Sequence, residues 1–141
     1  MSRILGIDLG EKRIGVALSD ETQTIASGLT TINVKSKADS FQKISDLVSE
    51  HGVKEVVVGL PLNMDGTHGP SAKKALRFGN ELKKGLCVLV FHFDERLTTK
   101  QGEALMIKAD ISRGKRKLSI DKIAASIMLQ SYLDYKKLKK E

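Results

Sequence analysis

Acidic side chains recur at three separated places in this 141-residue sequence, and their types and spacing suit chemistry with divalent metal ions. Asp8 follows a short apolar run, Asp94 and Glu95 end a later one, and Asp121 lies near the start of the last helical pattern. A carboxylate among apolar neighbours needs a partner or a metal ion. Phosphodiester hydrolysis needs an activated water and charge neutralisation, which two Mg²⁺ or Mn²⁺ ions held by carboxylates supply.

Each acidic position also has a purely structural interpretation. Asp8 could bond to the backbone of a turn between two hairpin strands. Asp121 could serve only the dipole of its helix, and the acidic pair could be a solvated strand end paired with Arg96. The three histidines are isolated in sequence and there is a single cysteine, so a zinc site is not indicated.

The elements that must position these side chains follow from hydrophobic spacing. Residues 4–8 and Arg13–Ser19 predict a hairpin, and residues 22–34 contain a third strand, expected at a sheet edge. Five further elements are predicted in order: a helix from Ala38 to about His51, a buried central strand over Glu55–Leu60, a helix over residues 70–84, a buried strand over residues 86–93, and a last helix after Ser119. Thr98 and Gln101 form a capping box for a helix of about ten residues before a basic stretch, 109–118, expected to be mobile.

This order predicts an α/β fold of one domain over residues 1–141. Its mixed five-stranded sheet has three antiparallel strands followed by two parallel ones and is flanked by helices, the layout of ribonuclease-H-like domains. The first strand is expected to be central. Because the carboxyl ends of that strand and its parallel neighbours meet at one edge, Asp8 and the pair Asp94 and Glu95 should meet there.

The formal net charge of +7 and the pI near 9.5 favour an anionic partner. The candidate nucleic-acid contacts are mostly basic: Asn63, Arg96, Arg113, Lys115, Arg116 and Lys117. The last four precede Asp121 and could steer a phosphate backbone towards the acids, although a solvated surface run is the plain alternative. Aromatic content is only 4% with no Trp, so recognition of backbone and shape is favoured over base stacking.

The number of cysteines and the length of the hydrophobic runs indicate the cellular location. One cysteine excludes a disulfide framework within the chain, which fits a reducing cytoplasm. The charged N-terminal residues lack the apolar core of a signal peptide, and no run is long enough for a membrane span. We therefore expect a cytoplasmic protein with no membrane partner.

Four motifs together carry a resemblance to a known family. Residues 6–10 with 13–17, 58–67, 94–99 and 117–125 resemble, in order and over nearly the whole chain, the YqgF family of Holliday junction resolvases. The resemblance implies a ribonuclease-H-like fold, a metal-dependent nuclease and a role in 5′ maturation of pre-16S ribosomal RNA. By position, Asp8, Asp94, Glu95 and Asp121 match the family's catalytic acids.

One departure concerns the better-known junction resolvases of similar fold, which place an acid on the strand corresponding to Glu55–Leu60. Here that strand ends in Gly59 and Leu60 with no acid, so the Asp94–Glu95 segment would have to substitute. Strand alternation sends Asp94 and Glu95 to opposite sides. We favour Glu95 as the metal ligand beside Asp8 and Asp121, because its longer side chain tolerates the offset.

The sequence thus predicts an endonuclease, dependent on Mg²⁺ or Mn²⁺, that acts on structured RNA. Junction DNA is the alternative substrate, and symmetric cutting of a junction would require a homodimer rather than a monomer. Actin-like ATPases begin with a similar hairpin, but they need two lobes to close on ATP. A non-catalytic nucleic-acid-binding module is the alternative of another class.

Overall fold

The computed structural model describes residues 2–98 and 120–139, and its centre is a five-stranded sheet of order β3-β2-β1-β4-β5. The strands are β1 (Ile4–Leu9), β2 (Arg13–Ser19), β3 (Ala26–Asn33), β4 (Glu55–Leu60) and β5 (Leu89–Asp94). The described helices are α1 (Lys37–Glu50), α2 (Pro70–Gly85) and α3 (Ile120–Lys139). A short 3₁₀ turn, Glu95–Leu97, follows β5.

The strand pairing confirms the mixed sheet. β1 pairs antiparallel with β2, where Asp8 lies opposite Gly15, and parallel with β4, where Ile7 lies opposite Val58. β2 pairs antiparallel with β3, and β4 pairs parallel with β5. The first strand is therefore central and the third strand is an edge, as the sequence predicts.

Alternation along β1 divides the core between the two faces of the sheet. Leu5 and Ile7 pack in a cluster with Ile44 of α1 and Leu82 of α2. Ile4 points to the other face, where the cluster is completed by residues of α3 such as Ala125, Met128 and Leu129. Position 8 has the same parity as position 4, so Asp8 belongs to the α3 face.

The prediction of a buried strand over residues 86–93 is wrong in extent and in burial. β5 begins at Leu89, since the N–H of Leu86 still donates to Leu82 O at the end of α2. Leu89 and Phe91 are 60% and 44% exposed, whereas Phe93 is buried. β5 is an edge strand, and α3 covers it only around Phe93, so the apolar run alone overstated its burial.

Two other predictions can be compared only in part. Thr98 ends the 3₁₀ turn, and the rest of the helix expected there, like the basic stretch 109–118, lies outside the described residues.

Pro70 is the first residue of α2, as predicted. Within residues 2–98 and 120–139, no helix combines the length and the apolar character that crossing a bilayer requires.

Candidate active site

Asp8 stands at the carboxyl end of the central strand. The four residues before it, Ile4 to Ile7, are buried, and Asp8 is half-buried where β1 leaves the core. Gly15 lies opposite on β2, and β4 runs on the other side. Two neighbouring strands therefore fix the backbone of Asp8 without placing a large side chain against its carboxylate.

Glu95 reaches the same place from a different strand. It follows directly after β5, in the 3₁₀ turn, and its side chain lies over Gly59 of β4. A β-carbon added at Gly59 would stand 2.5 Å from Glu95 Oε1, so only glycine leaves the carboxyl this room. Glu95 thereby crosses β4 and forms a hydrogen bond with Asp8 of β1.

Burial and the neighbouring Asp8 strongly shift the pKa of Glu95. Burial, the hydrogen bond with Asp8 and the negative charges of Asp8 and Asp94 raise the pKa of Glu95 to about 8. Two acids in contact cannot both ionise freely, so near neutral pH without a cation the pair shares a proton. A cation placed between them would remove this repulsion.

Asp94 has a different partner from its neighbour. Its carboxylate accepts three hydrogen bonds from the guanidinium of Arg96, with Nε 3.1 Å from both oxygens and Nη2 2.8 Å from Oδ2. These side-chain hydrogen bonds lower the pKa of Asp94. The alternation expected from sequence is thus realised, with Glu95 turned to Asp8 and Asp94 turned to Arg96.

Arg96 also connects this segment to the loop after β4. Its Nη1 donates to Met64 O at 3.3 Å. Within the loop, Asp65 accepts hydrogen bonds from the N–H and hydroxyl of Thr67, and Asn63 Nδ2 donates to Thr67 Oγ1 at 2.9 Å. Asn63 and Arg96, both predicted to contact nucleic acid, therefore already hold the loop in shape beside the acids.

Asp121 lies in the first turn of α3, which packs across one face of the sheet. Leu129 lies against Gly6 in the middle of β1, and Lys136 bonds to Glu55 at the start of β4. Lys122 lies against Gly28 of β3, which is in register with Gly6 through Ala17 of β2, so α3 crosses the sheet from β3 towards β4 and begins, with Asp121, on the β3 side. The side chain of Asp121 and the basic residues Arg113, Lys115, Arg116 and Lys117 lie outside the described part of the structure.

A cleft of about 390 Å³ opens over the acids, and we call it the catalytic cleft. Its lining includes Asp8, Gly59, Glu95 and the first turns of α2. Among the described residues, Lys74 is the cation of this lining, and sequence reasoning missed it. The loop after β4 leads straight into α2, so the start of that helix had to lie near the same sheet edge, which was the available signal.

The donor set fits a hard divalent cation. Carboxylate oxygens are the ligands of Mg²⁺ and Mn²⁺. Among the residues whose side chains are described, no group of three His, Cys, Asp or Glu side chains converges, so the described centre is the pair of Asp8 and Glu95. Asp121, from the first turn of α3, is the remaining sequence-predicted ligand.

A mixed sheet of this order, with acids gathered at the carboxyl ends of its parallel strands, defines a ribonuclease-H-like nuclease domain. The chain belongs to the family described as "RuvX: Holliday junction resolvase", which it matches over residues 2–135. This agrees with the resemblance found in the sequence.

Relatives agree with this assignment, and solved structures share the fold. Proteins named "Putative pre-16S rRNA nuclease" are 52% identical in Caldanaerobacter subterraneus, over 96% of this chain and 98% of that protein, and 46% identical in Bacillus cytotoxicus, over 95% and 99%. Thermus thermophilus RuvC in complex with a Holliday junction substrate shares the fold, with a TM-score of 0.64, 14% identity, and coverage of 98% of this chain and 96% of that one. The fowlpox virus resolvase in complex with Holliday junction DNA superposes with a TM-score of 0.59, at 14% identity over 94% and 97%.

Proposed function

We propose that this protein is a metal-dependent endonuclease that hydrolyses phosphodiester bonds of structured RNA in the 5′ processing of pre-16S ribosomal RNA. The observation that carries the proposal is the contact between Asp8 and Glu95, two acids from different strands held together at the carboxyl edge. Holding two acids in contact lowers the stability of the fold. A divalent cation bound by both acids would offset this repulsion and explain why they are kept together. The names of the relatives support RNA as the substrate.

Asp8, Glu95 and Asp121 are the residues that would hold Mg²⁺ or Mn²⁺. The bound ions would supply an activated water and charge neutralisation on the attacking and leaving oxygens. The protein contributes a fixed geometry: β1 holds Asp8, and Gly59 leaves the space through which Glu95 reaches it. Asp94 acts indirectly, since its pairing with Arg96 anchors the turn that carries Glu95.

Substrate positioning falls to groups around the catalytic cleft. Lys74 offers a charge to a phosphate next to the acids. Asn63 and Arg96 shape the neighbouring loop and present their remaining donors to the nucleic acid. Four further basic residues extend the phosphate contacts, namely Arg113, Lys115, Arg116 and Lys117. We place the reaction in the cytoplasm. The relatives come from bacteria, in which ribosomal RNA is processed in that compartment.

A second candidate function is resolution of four-way DNA junctions. The family description and the two fold neighbours bound to Holliday junctions favour it. Symmetric cutting of a junction needs two active sites related by a two-fold axis, hence a homodimer, whereas RNA processing is compatible with a monomer.

The deciding experiment is a cleavage assay with Mg²⁺ and with Mn²⁺ on three substrates: a pre-16S RNA leader, an unstructured RNA and a four-way DNA junction. Asp8→Asn, Glu95→Gln and Asp121→Asn should each abolish cleavage and leave binding largely intact. Asp46→Asn is the matched control, because Asp46 is an exposed acid of α1 bonded only locally to Gln42.

The outcomes separate the candidates. Cutting of the RNA leader alone supports the proposal, and cutting of the junction alone selects the resolvase. Salt-sensitive binding without cutting of any substrate, in either metal, points to the non-catalytic binding module. Unchanged cleavage in all three site variants would refute the active site itself.

A further inference from the structure

A second pocket lies beside the catalytic cleft, on the α1 and α2 face of the sheet, and we call it the side pocket. It has a volume of about 170 Å³, and its apolar walls are Leu9, Ile14, Val34 and Phe78. Leu9, Gly10 and Lys74 line both spaces, so the side pocket and the catalytic cleft adjoin around the end of β1. A nucleic-acid strand bound at the acids would therefore lie next to this opening.

The lining of the side pocket contains both cations and a carboxylate. Lys37 of α1 and Lys74 and Arg77 of α2 are exposed cations of its lining, and the spacing of Lys74 and Arg77 puts both on one side of α2. Among the described lining residues, the carboxylate is Glu81. The three cations outnumber this carboxylate, which is exposed as they are, so the mouth attracts anions, while the apolar walls disfavour an anion inside.

Ser40 adds an unusual polar group to the wall. Its residue is only 3% exposed, and its Oγ has no hydrogen-bond partner in the part of the chain that the structure describes. A buried hydroxyl without a partner costs free energy. A ligand with a hydrogen-bonding edge would satisfy it.

We propose that the side pocket receives one unpaired nucleobase of the substrate strand, whose flanking phosphates lie on Lys37, Lys74 and Arg77. This inference rests on the proposed function and adds a binding position to it. A nucleotide has the matching polarity, with its charge on the phosphate and a flat, weakly polar base. Phe78 offers the base a ring to pack on, and Ser40 and Glu81 offer hydrogen-bond partners for its edge.

The size of the side pocket limits what can enter. It is smaller than the roughly 300–1,000 Å³ of pockets that enclose a whole drug-sized ligand, so it admits a single ring system and not a stacked pair. A paired base cannot leave its helix without losing pairing and stacking energy. The enzyme should therefore favour sites where a nucleotide beside the cut is unpaired, as in loops and bulges of structured RNA.

Binding of two oligonucleotides in metal-free buffer tests the proposal without any cleavage. One is octa-adenylate, and the other is an octamer with the same phosphates on abasic sugars. Ser40→Met fills the side pocket from within. We expect this variant to bind octa-adenylate roughly 5- to 150-fold more weakly than wild type, which corresponds to the loss of one stacked base. Its affinity for the abasic octamer should change by less than about twofold. Ser49→Met, on an exposed position of the same helix, should leave both affinities unchanged.

Phe78→Leu provides a second test, because it keeps an apolar side chain and removes the ring, so it decides the matter if Ser40→Met is not folded. A folded variant that weakens both octamers equally, or neither, overturns the base pocket. Failure of wild type to prefer octa-adenylate also overturns it. These results are independent of cleavage by Asp8 variants, so the base pocket and the proposed activity can fail separately.

Discussion

Glu95 lies over Gly59 so closely that position 59 has no room for a side chain. A β-carbon there would stand 2.5 Å from Oε1 and 3.2 Å from the carboxyl carbon of Glu95. The strand whose carboxyl end lacks an acid in this chain, β4, is thus the strand over which an acid from its neighbour passes. Gly59 and Glu95 together put a carboxyl group beside Asp8.

Gly59→Ala should separate activity from stability. The new methyl group would meet the flexible end of Glu95, which can swing away, so we expect cleavage to fall by at least about tenfold, in line with the sensitivity of catalysis to displacements near 1 Å. Thermal unfolding should change little. Single-turnover cleavage and a melting curve measure the two effects.

Gly6→Ala is the contrasting control. Its β-carbon would stand 2.9 Å from Leu129 Cβ, inside the core between β1 and α3. That neighbour cannot swing away, so this variant should lose stability by about 1–3 kcal/mol, the usual cost of overpacking. Equal loss of stability in both glycine variants would contradict our account of Gly59.

The raised pKa of Glu95 predicts how stability depends on pH without metal. Its pKa of about 8 in the folded protein lies above its ordinary value of 4.5, so the folded state retains a proton that the unfolded state has released. The free energy of unfolding should therefore fall as the pH rises from about 5 to about 8. Denaturant melts across this range measure the slope, and Glu95→Gln should flatten it.

Divalent metal should reverse that trend. Metal binding requires the ionised carboxylate, so Mg²⁺ or Mn²⁺ should raise the melting temperature more at pH 8 than at pH 6. Asp8→Asn should lose this shift. A metal shift of equal size at both pH values would mean that Glu95 is not a ligand.

Substitutions of the adjacent acids should have unequal effects. Asp94→Asn keeps an acceptor for the N–H of Arg96 at the start of the 3₁₀ turn, and asparagine caps such turns well. We expect it to retain cleavage within about tenfold of wild type, whereas Glu95→Gln should have none, since transition-state charge stabilisation depends on the ligand itself. Single-turnover rates of the two variants on the RNA leader would reverse in order if Asp94 held the metal.

A buried cluster at the opposite end of the sheet should affect only stability. The Tyr132 hydroxyl donates to Glu55 Oε2 at 2.6 Å, and Lys136 Nζ lies 3.1 Å from both carboxylate oxygens. Tyr132→Phe should lower the free energy of unfolding by about 1.5–3 kcal/mol, the value of a hydrogen bond to a charged group. Cleavage by the folded variant should be unchanged, and Tyr135→Phe, at a partly exposed ring, should cost much less.

The basic stretch before α3 should set the salt dependence of binding. If its four cations each meet a phosphate, log affinity should fall with log salt at a slope of about −3.6 on duplex DNA or about −2.8 on a single strand. Replacing Arg113, Lys115, Arg116 and Lys117 by glutamine should remove that much of the slope. An unchanged slope would show that these residues are a solvated surface.

The sequence by itself determined the sheet and its acidic edge. The spacing of apolar residues in strands and helices is a local property of the sequence, so the alternation in β1 and the helix start at Pro70 could be recognised. The rules for connections between parallel strands then fixed the strand order. The same reasoning brought Asp8 and the pair Asp94 and Glu95 to one edge. It failed for β5, because burial depends on what covers a strand and an apolar run does not say whether it is central or an edge.

Only the tertiary structure decided how the acids are arranged. That Glu95 turns to Asp8 while Asp94 pairs with Arg96 depends on the space over Gly59, a residue 36 positions earlier in the chain. The place of Lys74 in the catalytic cleft and the unpartnered hydroxyl of Ser40 in the side pocket also arise from elements that meet only on folding. The local sequence pattern identifies which residues carry charge. The pKa values and contacts of those residues depend on distances between side chains that are remote in sequence.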